Sequence, residues 1–389
     1  MKLLTNGKFG GGDGTELNPY LVEDAQDLNS VRNKLSAHYK QTKDIDLKSI
    51  PNFEPIGDHD NPFTGLYNGD GRKIINLTIE SDVIRYCAFI GVCVGAKVIN
   101  THIQKADIKC NIEYGMSSIL VAYPTDGSLI ENCSVNGKVE CVHGTAGGIS
   151  GSFYKSDAKK CAVINSVIKG YITGGFCAFS NGVIENSYAT GKIIVSLVNQ
   201  FAQTASFVQS LSNAKVKNAY SVIETEIENE SDIKLIDSGY FVHSNWNSTL
   251  ENCYLDYEKG GPVKWMDRFT YYTGASVQGT DGRIYECYRS QSHFDDYFDP
   301  SWNQTGPPPG FPFPYHRAQP TIGEVWNQFW VLSTASEVKN TKEMKTKSTF
   351  IDWDFENVWK IREGVTYPTL FALPVEITCK RVPLNNYRR

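Results

Sequence analysis

The chain has 389 residues, a net charge of −5 and a pI near 5.9. That balance argues against a nucleic-acid partner, which would call for a basic face. No apolar run reaches the 18 residues of a membrane-spanning helix. Ten cysteines are scattered without a CxxC pair, so they read as small buried residues of a reducing compartment rather than as a disulfide or zinc framework.

Residues 1–73 form a unit of their own, read as an N-terminal cap and first coil. The first seven residues carry too short an apolar run for a secretory signal, so the chain is expected to stay where it is made or to leave as part of a particle. A turn-rich opening follows at 9–20. Ala25, Leu28, Val31, Arg32 and Leu35 then fall at helical spacing within 23–35, the one good helix candidate. A helix ahead of a repeat array predicts a cap over its open end, where strand edges must be hidden.

Over residues 74–257 one phrase recurs, centred on Asn76, Asn100, Asn132, Asn165, Asn186, Asn218 and Asn252. Two residues before each Asn stand Ile74, Val98, Ile130, Val163, Ile184, Val216 and Leu250, and the residue after it is small in nearly every copy. The marks are separated by 24, 32, 33, 21, 32 and 34 residues, a period proper to stacked repeats. Apolar positions after the Asn alternate with period two, which predicts strands, and no helical stripe lies between copies to connect them. The pattern predicts an all-β fold, a right-handed parallel β-solenoid (β-helix), with aliphatic and small residues stacked in inward columns. Asn accepts left-handed backbone geometry, so each is expected at a bend and in a hydrogen-bonded ladder. Gly-rich strands at 89–91, 147–151 and 174–179 are expected to let neighbouring coils approach closely.

Gly-Gly-Asp-Gly-Thr at 11–15, Asn-Pro-Tyr at 18–20, Asp-Ile-Asp-Leu at 44–47, Pro-Ile-Gly at 55–57, Phe-Thr-Gly at 63–65 and Asn-Gly-Asp-Gly at 68–71 together resemble the opening of GLUG-motif proteins. The copy Val-Ile-Glu-Asn-Ser-Tyr-Ala-Thr-Gly at 183–191 is similar to that family's repeat. The resemblance implies a β-solenoid of the kind found in bacterial surface adhesins and in bacteriophage structural or receptor-binding proteins.

Residues 258–332 break the repeat and crowd aromatic side chains, with a Gly-Pro run at 306–314 that must be irregular. Tyr272, Gly274, Val277, Gly282, Tyr285, Ser290, Ser292, His293, Pro300 and Trp330 follow an order similar to that of the chitin-binding type of carbohydrate module. This implies an inserted small β domain that presents aromatics to sugar rings. Tyr and Trp faces stack on the apolar faces of pyranoses while their edges remain polar. The candidate carbohydrate-binding residues are Tyr271, Tyr285, Trp302 and Trp330, the other aromatics forming the core that so small an insert needs.

Residues 333–373 read as a closing solenoid coil in which Trp353, Phe355 and Trp359 are expected to plug the C-terminal end of the stack. Residues 374–389 form a basic tail. A catalytic alternative would need paired carboxylates in a groove. Glu131, Glu185 and Glu251 precede repeat asparagines and are expected in one outward column, interrupted at Ile164 and Lys217.

The leading expectation is therefore a non-enzymatic bacteriophage virion protein of a tail, baseplate or fibre, binding host cell-surface polysaccharide or wall glycan. It would contact other virion proteins, with homo-oligomers allowed, and would need no cofactor, metal, nucleic acid or membrane insertion. The alternatives are a bacterial surface adhesin and a polysaccharide depolymerase.

Overall fold

The computed structural model describes residues 9–195, 201–228, 235–239, 241–259 and 338–373, together with four short strands at 270–271, 276–278, 284–287 and 330–332. It is a parallel β-solenoid of about six turns with little helix. Two parallel sheets wrap one interior. The larger has 22 strands, and the smaller takes one strand from each of six coils: Ile90–Val94, Val121–Thr125, Ser150–Phe153, Cys177–Ser180, Val208–Ser212 and Val242–Trp246.

The coils keep their register because equivalent side chains stack. Tyr67, Val98, Ile130, Ala158, Ile184, Val216 and Leu250 are successive strand partners, and the first six are fully buried. Each aliphatic side chain removed from water contributes about 1.5–3 kcal/mol, so the column fixes the stacking order. On the smaller sheet's side, Phe176 stacks on Phe207 with ring centroids 4.9 Å apart, and Phe207 on Phe241 at 4.7 Å. Cys87, Cys93, Cys110, Cys133, Cys141, Cys161, Cys177 and Cys253 are buried and unbridged, with Cys133, Cys161 and Cys253 in the small column beside the bend.

All seven repeat asparagines have positive φ, between 46° and 60°. They do not, however, share one corner. Asn100, Asn132, Asn186, Asn218 and Asn252 lie at a first bend, where the equivalent residue of the intervening coil is Lys160, with φ 52°: Glu131 pairs with Lys159 and Lys159 with Glu185. Asn76 and Asn165 lie at a second bend, one strand further along the coil. Ile74 pairs with Ile103, and Val163 with Val135, rather than with residues two before an Asn. The alternating spacings in the sequence arise from mixing these two corners. Along the first bend, partners recur at 32 or 34 residues, with Asn100 Nδ2 donating to Asn68 Oδ1 at 3.0 Å, Asn132 to Asn100 at 2.7 Å, Asn218 to Asn186 at 3.3 Å and Asn252 to Asn218 at 3.4 Å.

The α-helix Ala25–Ser30 continues into a 3-10 turn at Val31–Asn33, shorter than its spacing predicts. Asp24 caps it by accepting from the backbone N–H groups of Gln26 and Asp27. Leu28 and Val31 sink into the core and Phe9 stacks on Tyr20 at 4.6 Å, so the first coil is closed as a cap.

The C-terminal segment departs from expectation. Trp353 and Trp359 do not plug the end of the stack; they lie along its flank against an outward column of tyrosines. Tyr188, Tyr220 and Tyr254 are strand partners, and the first two rings stack at 5.0 Å. Trp359 packs on Tyr188 and Tyr220, Trp353 on Tyr254 and Trp359, and Tyr220 donates to Pro368 O at 2.7 Å. The physical reason is area: the tyrosine column offers several coils of apolar surface, whereas the stack's end is one coil wide.

Candidate functional site

Two strand segments far apart in sequence, 254–256 and 338–339, are neighbouring rungs of the solenoid. Leu255 pairs in parallel with Val338 and Asp256 with Lys339, so the ladder resumes where it stopped. Asp256 ties the junction. Fully buried, it accepts from Thr341 Oγ1 at 3.1 Å, from Tyr367 Oη at 2.6 Å, and from the backbone N–H groups of Glu258 and Lys259.

Within the excursion, Thr270–Tyr271 pairs in parallel with Leu235 and Ile236, so Tyr271 belongs to a solenoid rung. The strands Ser276–Gln278, Ile284–Cys287 and Trp330–Leu332 form a separate antiparallel sheet. Tyr285 is opposite Leu332 and Cys287 opposite Trp330. Tyr285 and Trp330 therefore occupy diagonal register positions of neighbouring strands. Of the four candidates, then, Tyr285 and Trp330 fall on neighbouring strands of one sheet, Tyr271 is on a different strand system, and Trp302 lies outside the described residues.

The acidic column is not a row of acids. Glu131, Lys159, Glu185, Lys217 and Glu251 succeed one another, so the interruption falls at Lys159 rather than at Ile164, and charge alternates coil by coil. Other faces repeat the device. Glu80, Lys109, Glu140 and Lys169 are consecutive partners, with ion pairs of 2.9 Å for Lys109–Glu80 and 3.3 Å for Lys169–Glu140. Such exposed pairs are each worth about 0–1 kcal/mol, but like charges at the same spacing would repel. The alternation therefore favours this register.

The turn aspartates Asp13 and Asp58 are used locally. Asp58 Oδ1 accepts from the N–H groups of Asp60 and Asn61, and Asp13 Oδ1 from Thr15 N and Oγ1. Among the described residues no group of three or more His, Cys, Asp or Glu is arranged to hold a metal ion. His102 is fully buried, with Nδ1 2.9 Å from Ser134 Oγ and Nε2 without a hydrogen-bond partner. Burial, reinforced by the charge of Lys73, holds its pKa down at about 4.

One aromatic surface escapes sequence reasoning. Tyr86 and Tyr123, on neighbouring coils, stack with centroids 5.8 Å apart and planes inclined by 15°. Both are half-buried on the outer flank. Arg85 lies 5.7 Å from the Tyr86 ring centre and donates from Nε to Tyr114 O at 3.2 Å. Tyr154 is 37% exposed, with Lys155 5.2 Å above its ring. The pair is separated by 37 residues in sequence and matches no motif; the available signal was the outward phase of Tyr123 between buried Ala122 and Pro124.

No protein-family model matches the chain. Over 91 residues, 22% of its length, it is 42% identical to a protein of Evansella cellulosilytica provisionally named as a Gly-rich membrane protein, and it covers 10% of that protein. Over 141 residues, 33% of its length, it is 30% identical to halomucin of Haloquadratum walsbyi, and it covers 2% of that protein. The chain thus spans a small part of the curated relatives it matches. The crystal structure of a protein from Bacteroides ovatus, provisionally described as an immunoglobulin A1 protease, superposes with a TM-score of 0.58 at 18% identity, covering 94% of this chain and 96% of that one. At that identity the likeness is one of fold.

Proposed function

We propose that the chain is a non-enzymatic attachment protein, a rigid β-solenoid shaft carrying a glycan-binding unit built from the excursion between Asp256 and Val338. The observation that carries this reading is the in-register return of the ladder at Leu255 and Val338, with a separate antiparallel sheet between them in sequence on whose neighbouring strands Tyr285 and Trp330 fall. A shaft that loses no register can carry such a unit, and aromatic residues on neighbouring strands of a small sheet suit the apolar side of a sugar ring. The alternation of glutamate and lysine along the outward column supports binding over polysaccharide cleavage, which calls for closely placed carboxylates.

Two settings fit an attachment shaft. The GLUG-type resemblance supports a bacteriophage tail, baseplate or fibre. A specific observation favours the second, a cell-surface adhesin: the stretches of this chain that recur in a protein named for a membrane and in one named as a mucin. Recovery of the chain with purified phage particles or with washed cell envelopes separates the two.

The attachment reading is tested by pull-down on intact bacterial cell walls. The full chain is expected to sediment with walls, and Tyr285→Ala combined with Trp330→Ala to stay in solution while its melting is unchanged. Undiminished sedimentation of a folded double variant removes the unit from the binding role. Release of reducing ends or unsaturated sugars from the walls would replace binding by catalysis.

A further inference from the structure

Three cysteines outside the small column beside the Asn bends meet inside one corner of the coils. Cys110 ends the strand His102–Cys110, and Cys141 follows on the next rung, since Lys109 pairs with Glu140. Cys87 reaches the same corner from the coil before, where its strand partner is Ser117, across the turn 111–115 from Cys110. The thiols of Cys87 and Cys110 donate to one shared acceptor, Ile84 O, at 3.3 and 3.6 Å. The backbone makes room for the sulfurs. A Cβ on Gly115 would collide with Cys110 Sγ, and one on Gly144 would stand 2.9 Å from Cys141 Sγ.

The three thiols are not equivalent. Donation from the thiols of Cys141 and Cys87 holds the Cys110 pKa below the ordinary thiol value, and the same contacts, with burial, push those of Cys87 and Cys141 up. Cys110 is therefore the nucleophile of the group. Ser117 brings to this corner a buried Oγ without a hydrogen-bond partner, a polar atom available to an oxygen carried by the Cys110 sulfur. Side chains stacked on parallel rungs keep their Cβ atoms about 4.8 Å apart, wider than the roughly 3.5–4.5 Å of a disulfide, whereas side chains facing across a corner converge. Cys87 thus suits Cys110 better than Cys141 does. All three cysteines are fully buried, and the turn 111–115 closes over Cys110 through Gly115 and Ile112 while Asn111, Glu113 and Tyr114 are exposed. Local opening of one such turn admits an oxidant of two oxygen atoms.

We propose that Cys87 and Cys110 are a peroxide-operated cross-link, which ties two neighbouring coils together under oxidising conditions. The Cys110 sulfur attacks one oxygen of hydrogen peroxide and the O–O bond breaks. Sulfur keeps a hydroxyl as sulfenic acid, and the other oxygen leaves as water with the thiol proton. The Cys87 sulfur then attacks the sulfenic sulfur, the S–S bond forms, and the hydroxyl departs as a second water with the Cys87 proton. Two electrons pass from the two sulfurs to peroxide, and no further reactant is consumed. Cys141 remains a thiol. No residue of 257–337 takes part, so this site and the attachment unit stand or fall separately.

The test treats the full, reduced chain with hydrogen peroxide, alkylates the remaining thiols with iodoacetamide in urea and maps the peptides by mass. The wild type is expected to yield linked peptides of Cys87 and Cys110, lighter than their sum by about 2 Da and separated again by dithiothreitol. Cys87→Ala is expected to abolish the link and to leave Cys110 trapped by dimedone as the sulfenic acid. Cys87→Ser, which leaves a smaller cavity, should give the same reading. Cys133 and Cys161 also stand on successive rungs, but each of their thiols donates to two carbonyls, and both are expected to remain alkylated. Full alkylation of Cys87 and Cys110 after peroxide overturns the proposal on the wild type alone. It is overturned as well by a Cys110–Cys141 link in place of the expected one, by a Cys133–Cys161 link formed as fast, or by folded Cys87 variants in which Cys110 takes up no dimedone.

Discussion

Trp359 donates its indole N–H to Asn186 Oδ1 at 3.3 Å, joining residues 173 apart in sequence. The acceptor is also the terminus of the Asn218 ladder bond, so the C-terminal segment is stitched to the bend that organises the coils. Trp359 itself is fully buried against Trp353, with centroids 4.2 Å apart. Trp359→Ala is expected to cost about 3–5 kcal/mol, the usual range for a buried tryptophan. Trp359→Phe should cost less, through the lost bond and some volume. Hydrogen exchange should rise across 338–373 and around Tyr188 and Tyr220 while coils 97–135 stay protected. Uniform deprotection would show instead that the flank and the shaft unfold as one unit.

The ladder has one gap, and it can be filled. Asn132 Oδ1 is buried without a hydrogen-bond partner because the next residue at that bend is Lys160 rather than Asn. Lys160 holds φ 52°, a geometry Asn adopts more readily, and its ion pair with Glu131 spans 3.9 Å near the surface. Lys160→Asn is therefore expected to stabilise the chain by about 0.5–1.5 kcal/mol, the net worth of a hydrogen bond. The reverse change, Asn132→Ala, loses the bond to Asn100 and strains the bend, so it should destabilise more than Asn132→Gly, which keeps the bend alone. Urea midpoints in the order Lys160→Asn, wild type, Asn132→Gly, Asn132→Ala check both statements.

Much of this fold can be read from residues, and its mistakes have a common origin. Alternating aliphatics, small residues and Asn bends announce stacked coils, and they do form the interior. The phrase is ambiguous because two corners of one coil make the same demand: an aliphatic inward, a left-handed residue, a small residue inward. Asn76 and Asn165 satisfy it at the second corner, while Lys160 satisfies it at the first without looking the part. The outer flanks are less legible. Tyr188, Tyr220 and Tyr254 follow the small inward residues Ser187, Ala219 and Cys253, so their outward phase was visible, but nothing local says that Trp353 and Trp359 will cover them. Tyr86 and Tyr123 come together although the register pairs Tyr86 with Met116 and Tyr123 with Val92, across the corner between the two sheets, a relation no local pattern announces.

Buried His102 makes stability depend on pH. Its folded pKa, about 4, lies below the ordinary 6.5, so between those values the unfolded chain binds more protons than the folded one. Stability is fully present above pH 6.5, declines as pH falls through the window, and has lost this contribution below 4. The loss is at most about 3 kcal/mol for such a displacement. The groups beside the ring along its column are Ser134, which can stay bonded to Nδ1, and Lys73, which opposes protonation. His102→Gln should flatten the difference between urea midpoints measured at pH 7.5 and pH 5. An equal slope in the variant would assign the pH dependence to other groups.

Two glycines separate steric from conformational cost. A Cβ on Gly174 would meet Cys177 O at 1.8 Å and Cys177 C at 2.6 Å, both backbone atoms that hold the corner into the smaller sheet. Gly127 sits at φ +88° with nothing within 4 Å, so alanine there is penalised by backbone geometry alone. Gly127→Ala should cost about 1–2 kcal/mol. Gly174→Ala must shift the chain between two rungs and should cost more, about 2–4 kcal/mol, in the range of overpacked cores and strained backbones. Because Cys177 and Val208 are strand partners at that point, the disturbance should spread to the neighbouring coil as faster amide exchange at 205–209. For Gly127→Ala exchange should change only at the turn itself. Equal penalties for the two would mean that the corner at Gly174 relaxes freely and that close approach of backbone there does not set the spacing of the coils.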